Sequence, residues 1–135
     1  MRLNQVTVPA LDIGDSIEFY SGLGLKLIVR NDHYARFELP DGDSTLSVHQ
    51  ARSLPQAQAQ GVVIYFECEN LDRTVERLRY KGYVFTEGPT DQAWLWREAR
   101  LLDPAGNVIC LYFAGTNRRN PPWRLAGDSA KLPRQ

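Results

Sequence analysis

The sequence has no surplus of charge of either sign, very little cysteine and no long apolar run. Each absence removes a class of function. Sixteen basic residues balance sixteen acidic ones, whereas nucleic acid and anionic membranes both select for a basic excess. The two cysteines, Cys68 and Cys110, are too few for a disulfide framework and lack metal-finger spacing. They are expected to be reduced and unpaired. No stretch is apolar enough to span a bilayer, and the N-terminus lacks the apolar core of a signal peptide. The expectation is a cytoplasmic protein with neither nucleic acid nor membrane as partner. What is present is ordinary for a globular chain: 43% hydrophobic and 24% charged residues. A length of 135 residues suits one domain or two small fused modules, with a core that needs no staples.

The strongest internal signal is a repeat. Glu98 to Phe113 reads as strand, turn, strand, with the turn chemistry carried by Asp103-Pro104-Ala105-Gly106-Asn107. Ala35 to Asp43 matches Ala99 to Asn107 without a gap, at an offset of 64 (99 − 35). A helical stripe, Ile13, Ile17 and Tyr20 behind Asp12, returns as Leu71, Val75 and Leu78 behind Asn70, at an offset of 58 (71 − 13). Asp12 and Asn70 suit helix N-caps; Gly22 or Gly24 suits the first stop and Gly82 the second. Strands are expected at Leu3 to Val8 (ended by Pro9), Leu25 to Arg30, Tyr34 to Leu39, Ser44 to His49, Val62 to Cys68 and Tyr83 to Phe85. A longer connection is expected over Thr86 to Gln92, before the final hairpin.

Each half is thus strand–helix–strand–strand–strand, and duplication explains the matches better than chance. One such half cannot bury both faces of its sheet alone. The expected fold class is α+β: two βαβββ modules, 1–50 and 61–115, forming a curved, cup-shaped sheet with helices on the convex face. Residues 51–60, polar and of low complexity, read as a linker. The tail, 116–135, is basic; it reads either as a disordered tail or, on its Pro121-Pro122-Trp123 run, as a docked anchor.

The opening Leu-Asn-Gln-Val-Thr-Val, the following Ser16-Ile17-Glu18-Phe19-Tyr20 and the closing Leu102-Asp103-Pro104-Ala105-Gly106-Asn107 together resemble the vicinal oxygen chelate superfamily. That group includes glyoxalase I, extradiol dioxygenases and the fosfomycin and bleomycin resistance proteins. The resemblance covers roughly residues 1–115 and speaks to fold more than to reaction. It implies four metal-ligand positions on the cup-facing strands, usually filled by His or Gln, Glu, His and Glu. Here the first falls on Gln5, the third on Val63 and the fourth on Cys110. Strand alternation places the second on Ser47; the internal repeat places it on Leu46. His49, two residues beyond, is the remaining candidate to join Gln5 and Cys110 around a metal. With one position filled in the usual way, the expectation is no metal and no cofactor. Cys110 then serves as a small apolar residue in the cup floor.

By alternation the cup is lined by Gln5, Val63, Tyr65, Glu67, Val108, Cys110 and Tyr112, and on the seventh strand by Trp94, Trp96, Glu98 and Arg100. Leu95, Ala99 and Leu101 suit the helix side, although Arg97 breaks that apolar set. The Trp96-Arg97-Glu98 run looks most like the bleomycin-resistance branch, whose members bind ligands by aromatic stacking. Three functions compete. The first is a metal-free protein that binds a planar organic ligand, the tryptophans serving as ligand contacts rather than as dimer packing or core. The second is a divergent lyase or isomerase, possibly metal-dependent, with Glu98, Glu67 or Tyr65 handling protons. The third is an interaction domain with an occluded cup. The resemblance also implies a homodimer.

Overall fold

The computed structural model describes residues 2–52 and 62–126. Most of the expected linker and the end of the tail therefore lie outside the described residues. Two modules follow one another, each folding as strand, helix, then three strands. The first comprises β1 (Gln5–Ala10), α1 (Ile13–Leu23), β2 (Lys26–Arg30), β3 (Tyr34–Glu38) and β4 (Thr45–Gln50). The second comprises β5 (Val63–Glu67), α2 (Leu71–Tyr80), β6 (Phe85–Asp91), β7 (Arg97–Leu102) and β8 (Val108–Phe113). The strand orders are β1-β4-β3-β2 and β5-β8-β7-β6. In each sheet the first strand lies parallel to the last, and the other pairs are antiparallel. The α+β architecture is the one the repeat implies. The strands, however, form two separate four-stranded sheets and not one continuous sheet.

Local chemistry explains the helix ends. The Asp12 carboxylate accepts from the Asp15 N–H at 2.8 Å, and Asn70 does the same for Arg73 at 3.2 Å. Each satisfies a donor that the first turn leaves free. Gly24 closes α1 at φ 110°, a left-handed conformation that a side chain resists.

Two strand boundaries differ from expectation for one reason. β1 does not stop at Pro9; it continues to Ala10, with Pro9 paired to His49. The stretch expected as a connection over Thr86 to Gln92 is mostly β6, which contains Pro89 and carries register shifts on both sides of Glu87. Both β1 and β6 are edge strands. An edge has one row of unpaired backbone groups, so a proline without an N–H is tolerated there. Bulges absorb the extra residues.

Alternation sorts each sheet into two faces. Val8, Ala10, Ala35, Phe37, Leu46 and Val48 of the first sheet are buried with Ile13 and Tyr20 of α1. Ile64, Ala99, Leu101, Ile109 and Leu111 of the second are buried with Leu71, Val75 and Leu78 of α2. All belong to a single apolar core, so the modules are joined through their helix-bearing sides.

The turn at Asp103–Asn107 clasps this junction. The Asp103 carboxylate accepts from the Tyr20 hydroxyl at 2.6 Å. It also accepts from the N–H groups of Ala105 and Asn107 and from the Asn107 amide, at 2.9, 2.8 and 2.7 Å. The Asn107 amide donates as well to the Pro9 carbonyl at 2.9 Å. Gly106 completes the turn at φ 87°. Two of the three stretches that carried the family resemblance, Ser16–Tyr20 and Leu102–Asn107, thus hold each other, and that contact is structural. Among the described residues, no helix is long and apolar enough to cross a membrane.

Candidate functional site

The face of the second sheet that points away from its helix carries a small cluster of its own, separate from the main core: Cys110, Tyr112 and Ala114, with Val63 and Trp96 packed on them. The Trp96 ring stacks on Tyr112, with centroids 4.6 Å apart and planes 18° apart. Tyr65 stands edge-on to both, at 5.9 and 5.5 Å. The three rings come from three places in the chain: Tyr65 from β5, Tyr112 from β8, and Trp96 from the turn before β7. The Trp96 indole N–H points to the Asn117 carbonyl at 3.4 Å, which ties it to the 3-10 turn after β8 (Gly115–Asn117).

Beside the rings lies a buried polar group. Glu98 is 1% exposed. One of its oxygens accepts from the Trp94 indole at 2.7 Å, the other from Arg100 at 3.4 Å. Arg100 also reaches the Tyr65 hydroxyl at 3.4 Å. Burial opposes the charge of Arg100, but Cys110, Glu98 and Tyr65 around it hold the guanidinium protonated, above its ordinary value. Cys110 is fully buried. Burial first, then the charge of Glu98, pushes its thiol up to about 12. It is therefore a neutral thiol and not an activated nucleophile.

The expected site residues separate into groups. Tyr65, Trp96, Glu98, Arg100, Cys110, Tyr112 and Val63 come together as described. Trp94 joins them, but not from a strand. It sits in the turn before β7, where Leu95 has φ 69°, and only its indole reaches back to Glu98. Leu95 is half exposed and not on the helix side. Arg97 ends the apolar set without conflict, because it extends to Asp72 at the start of α2 and to Asp91 of β6. Glu67 is spent on backbone: one of its oxygens accepts from the N–H groups of Ala114 and Gly115, both at 2.9 Å. Trp123 is 57% exposed and is not buried against the described residues of its own chain.

Gln5, Ser47 and His49 lie on the first sheet. Among the described residues, no hydrogen bond, ion pair or ring contact links its outer face to that of the second sheet. The Gln5 side-chain carbonyl accepts from the Thr45 hydroxyl at 2.7 Å. Ser47 is buried and shares a hydrogen bond of 2.5 Å with Thr7, whereas Leu46 belongs to the core. The structure thus puts Leu46 on the helix side and Ser47 on the opposite face, as alternation along the strand expects. The repeat misled by one residue because the first module's hairpin is one residue longer: Arg36 pairs with Ser47 and Arg100 with Cys110, so the offset is 64 before the turn (100 − 36) and 63 after it (110 − 47). His49 is exposed.

As a metal site this set fails on its chemistry. It offers one amide oxygen, a hydroxyl already bonded, a valine and a single buried thiol, whereas divalent ions need several convergent oxygen, nitrogen or thiolate donors. Among the described residues, no group of three or more His, Cys, Asp or Glu side chains is placed to hold a metal.

A cleft of about 810 Å³ runs between the modules, bounded by α2, β5, β8 and the β3–β4 turn; Tyr65, Glu67 and Tyr112 line one side of it. The sequence missed its basic residues, Arg77 and Arg118. They come from α2 and the tail, which alternation along strands cannot reach. It also passed over Thr7, Tyr34 and Arg36, although the repeat maps Arg36 onto Arg100, which alternation had placed in the cup.

Paired βαβββ modules with an aromatic, donor-poor outer face define a protein of the glyoxalase fold type. The model of the Glyoxalase/Bleomycin resistance protein/Dioxygenase superfamily matches residues 2–111, and the chain belongs to that superfamily. Among curated proteins, none matches the sequence. Solved structures share the fold at low identity. A glyoxalase/bleomycin resistance protein/dioxygenase from Nocardioides is 24% identical with a TM-score of 0.73, over 93% of this chain and 90% of that one. A bleomycin resistance determinant encoded on transposon Tn5 is 19% identical with a TM-score of 0.68, over 84% and 98%. A bleomycin-binding protein complexed with bleomycin is 19% identical with a TM-score of 0.67, over 84% and 98%.

Proposed function

We propose that this protein binds a small, planar organic molecule on the aromatic face of its second module, without a metal, and works as a cytoplasmic homodimer. The observation that carries the reading is the ring cluster of Trp96, Tyr112 and Tyr65 beside a buried, hydrogen-bonded Glu98. Flat rings at stacking and edge-on distances offer a ready surface for another flat ring. Each added aromatic pair contributes about 0.5–1.5 kcal/mol beyond area burial. Two such contacts amount to a factor of roughly ten to a hundred in affinity. The bleomycin complex of a distant relative supports the idea that this fold holds organic ligands; at 19% identity it does not indicate which.

The lyase or isomerase alternative asks for a carboxylate free to take a proton. Glu98 is engaged by Trp94 and Arg100, and Glu67 by two backbone N–H groups, which favours binding over proton transfer. The two unpaired thiols suit a reducing compartment.

The test is tryptophan fluorescence titration against planar compounds with EDTA present. Quenching should persist in EDTA and weaken about tenfold in Trp96→Ala. Binding that requires added metal, or that ignores loss of Trp96, would overturn the proposal.

A further inference from the structure

The duplication supplies an internal control. Arg36 and Arg100 occupy the same position in the two modules, as do Tyr34 and Glu98, Ser47 and Cys110, and Thr7 and Tyr65. In the second module the arginine is met by a buried carboxylate, and the pair cancels. In the first module the residue in the carboxylate's place is a tyrosine. Arg36 has no acidic partner among the described residues; the nearest acid on its strand, Glu38, pairs with Lys26 at 3.8 Å.

The hydrogen bonds around Arg36 leave several donors facing outward. Its Nε donates to the Tyr34 hydroxyl at 2.9 Å, and the guanidinium lies over the Tyr34 ring at 5.4 Å. Thr7 and Ser47 share one bond. The phenol oxygen of Tyr34 accepts, so its own hydrogen remains to be given. The two Nη groups of Arg36 form a planar fork that fits a carboxylate. Desolvation is the largest single influence and raises the Tyr34 phenol, but hydrogen bonds from Ser47 and Arg36 and the charge of Arg36 together lower it, consistent with a net electropositive spot.

We propose that the outer face of the first module is an oxyanion-binding site, in which the Arg36 fork and the Tyr34 hydroxyl, braced by Ser47 and Thr7, hold the carboxylate of an organic acid. Taken with the ring cluster of the second module, the ligand class narrows to planar organic acids; that narrowing rests on the function proposed above, whereas the oxyanion site stands on its own.

The experiment is a titration of the intact protein with benzoate, followed at two places: the Nε–Hε resonance of Arg36 by heteronuclear NMR, and tryptophan fluorescence. Benzylammonium, with the same ring and the opposite charge, is the control, and inorganic phosphate is a third arm. The Arg36 resonance should shift in saturable fashion with benzoate and not with benzylammonium. Affinity should fall about tenfold or more in Arg36→Gln and about three- to tenfold in Tyr34→Phe. Both side chains lie on the surface, and circular dichroism checks that the variants fold. Displacement of benzoate by phosphate would support the oxyanion site and identify charge, not the ring, as what it reads. An Arg36 shift without tryptophan quenching would leave this site standing and count against the aromatic one; quenching without an Arg36 shift would do the reverse. No Arg36 shift at millimolar benzoate, an equal shift with benzylammonium, or indifference to Arg36→Gln would overturn the proposal.

Discussion

Asp103 shows how much one side chain decides. Its carboxylate is almost fully buried and takes four hydrogen bonds, from the Tyr20 hydroxyl and from the turn that follows it. Asp103→Ala strands those donors away from water and should destabilise the fold by about 3 kcal/mol. Tyr20→Phe removes a single bond to a charged group and should cost about 1.5 kcal/mol. Urea denaturation measures both; equal effects would show that the turn bonds carry nothing. Protonation at Cys110 makes a second prediction. Its thiol is raised from 9.0 to about 12, by burial and then by Glu98; burial and then Asp103 likewise raise the Tyr20 phenol. A raised folded value keeps its stabilisation below the unfolded value and loses it as pH climbs toward the folded one. The contribution of Cys110 should therefore be constant below pH 9.0 and decline from there toward pH 12. Unfolding midpoints across that range should fall, and less steeply in Cys110→Ala. A rise with pH would contradict the assignment.

At the scale of elements, the turn between β6 and β7 departs most from the sequence reading. Alternation carried Trp94 and Trp96 backward along a strand that begins only at Arg97. The chain instead folds over at Gln92, whose N–H donates to the Trp96 carbonyl at 2.8 Å, while the Leu95 N–H donates to the Gln92 carbonyl at 3.0 Å. Leu95 takes the left-handed conformation there, which costs an L-residue roughly 1–2 kcal/mol. It is half exposed, so little burial is lost on truncation. Leu95→Gly should raise stability by about 0.5 kcal/mol, the relief of strain being partly offset by the freer unfolded chain. Thermal denaturation reads it, and a lowered midpoint would show that the leucine packs more than it strains. Nothing in Asp91-Gln92-Ala93-Trp94 announces this turn, because it has no Gly, Pro or Asn at the residue that needs positive φ. The helices were the opposite case: Asp12, Asn70, Gly24 and Gly82 mark their ends in plain sequence.

At the scale of the whole molecule, one core joins the helix-bearing sides of both sheets, while Tyr65, Trp94 and Phe113 of the second module remain 42–45% exposed. Apolar surface of this kind beside edge strands favours burial in a partner. A homodimer should therefore sediment with the mass of two chains at micromolar concentration, where an interface of standard size holds. A mass of one chain would count against it.

The sequence by itself determined the two-module architecture, the helix caps, the turn at Asp103–Asn107 (though not its clasp on Tyr20 and Pro9) and the inward alternation of every central strand. All of these are local or periodic, and each is written in residues within a few positions of where it acts. It also determined what the cup lacks, since a missing carboxylate needs no coordinates to be noticed. Only the tertiary structure decided that Pro9 and Pro89 lie inside edge strands, that Glu67 holds backbone, and that the two outer faces share no core. Pairing across strands, not position along them, settles such questions. The same pairing decided the electrostatics: Glu98 cancels Arg100 because β7 sets them on one face of a buried sheet, and Tyr34 leaves Arg36 uncancelled in the matching place.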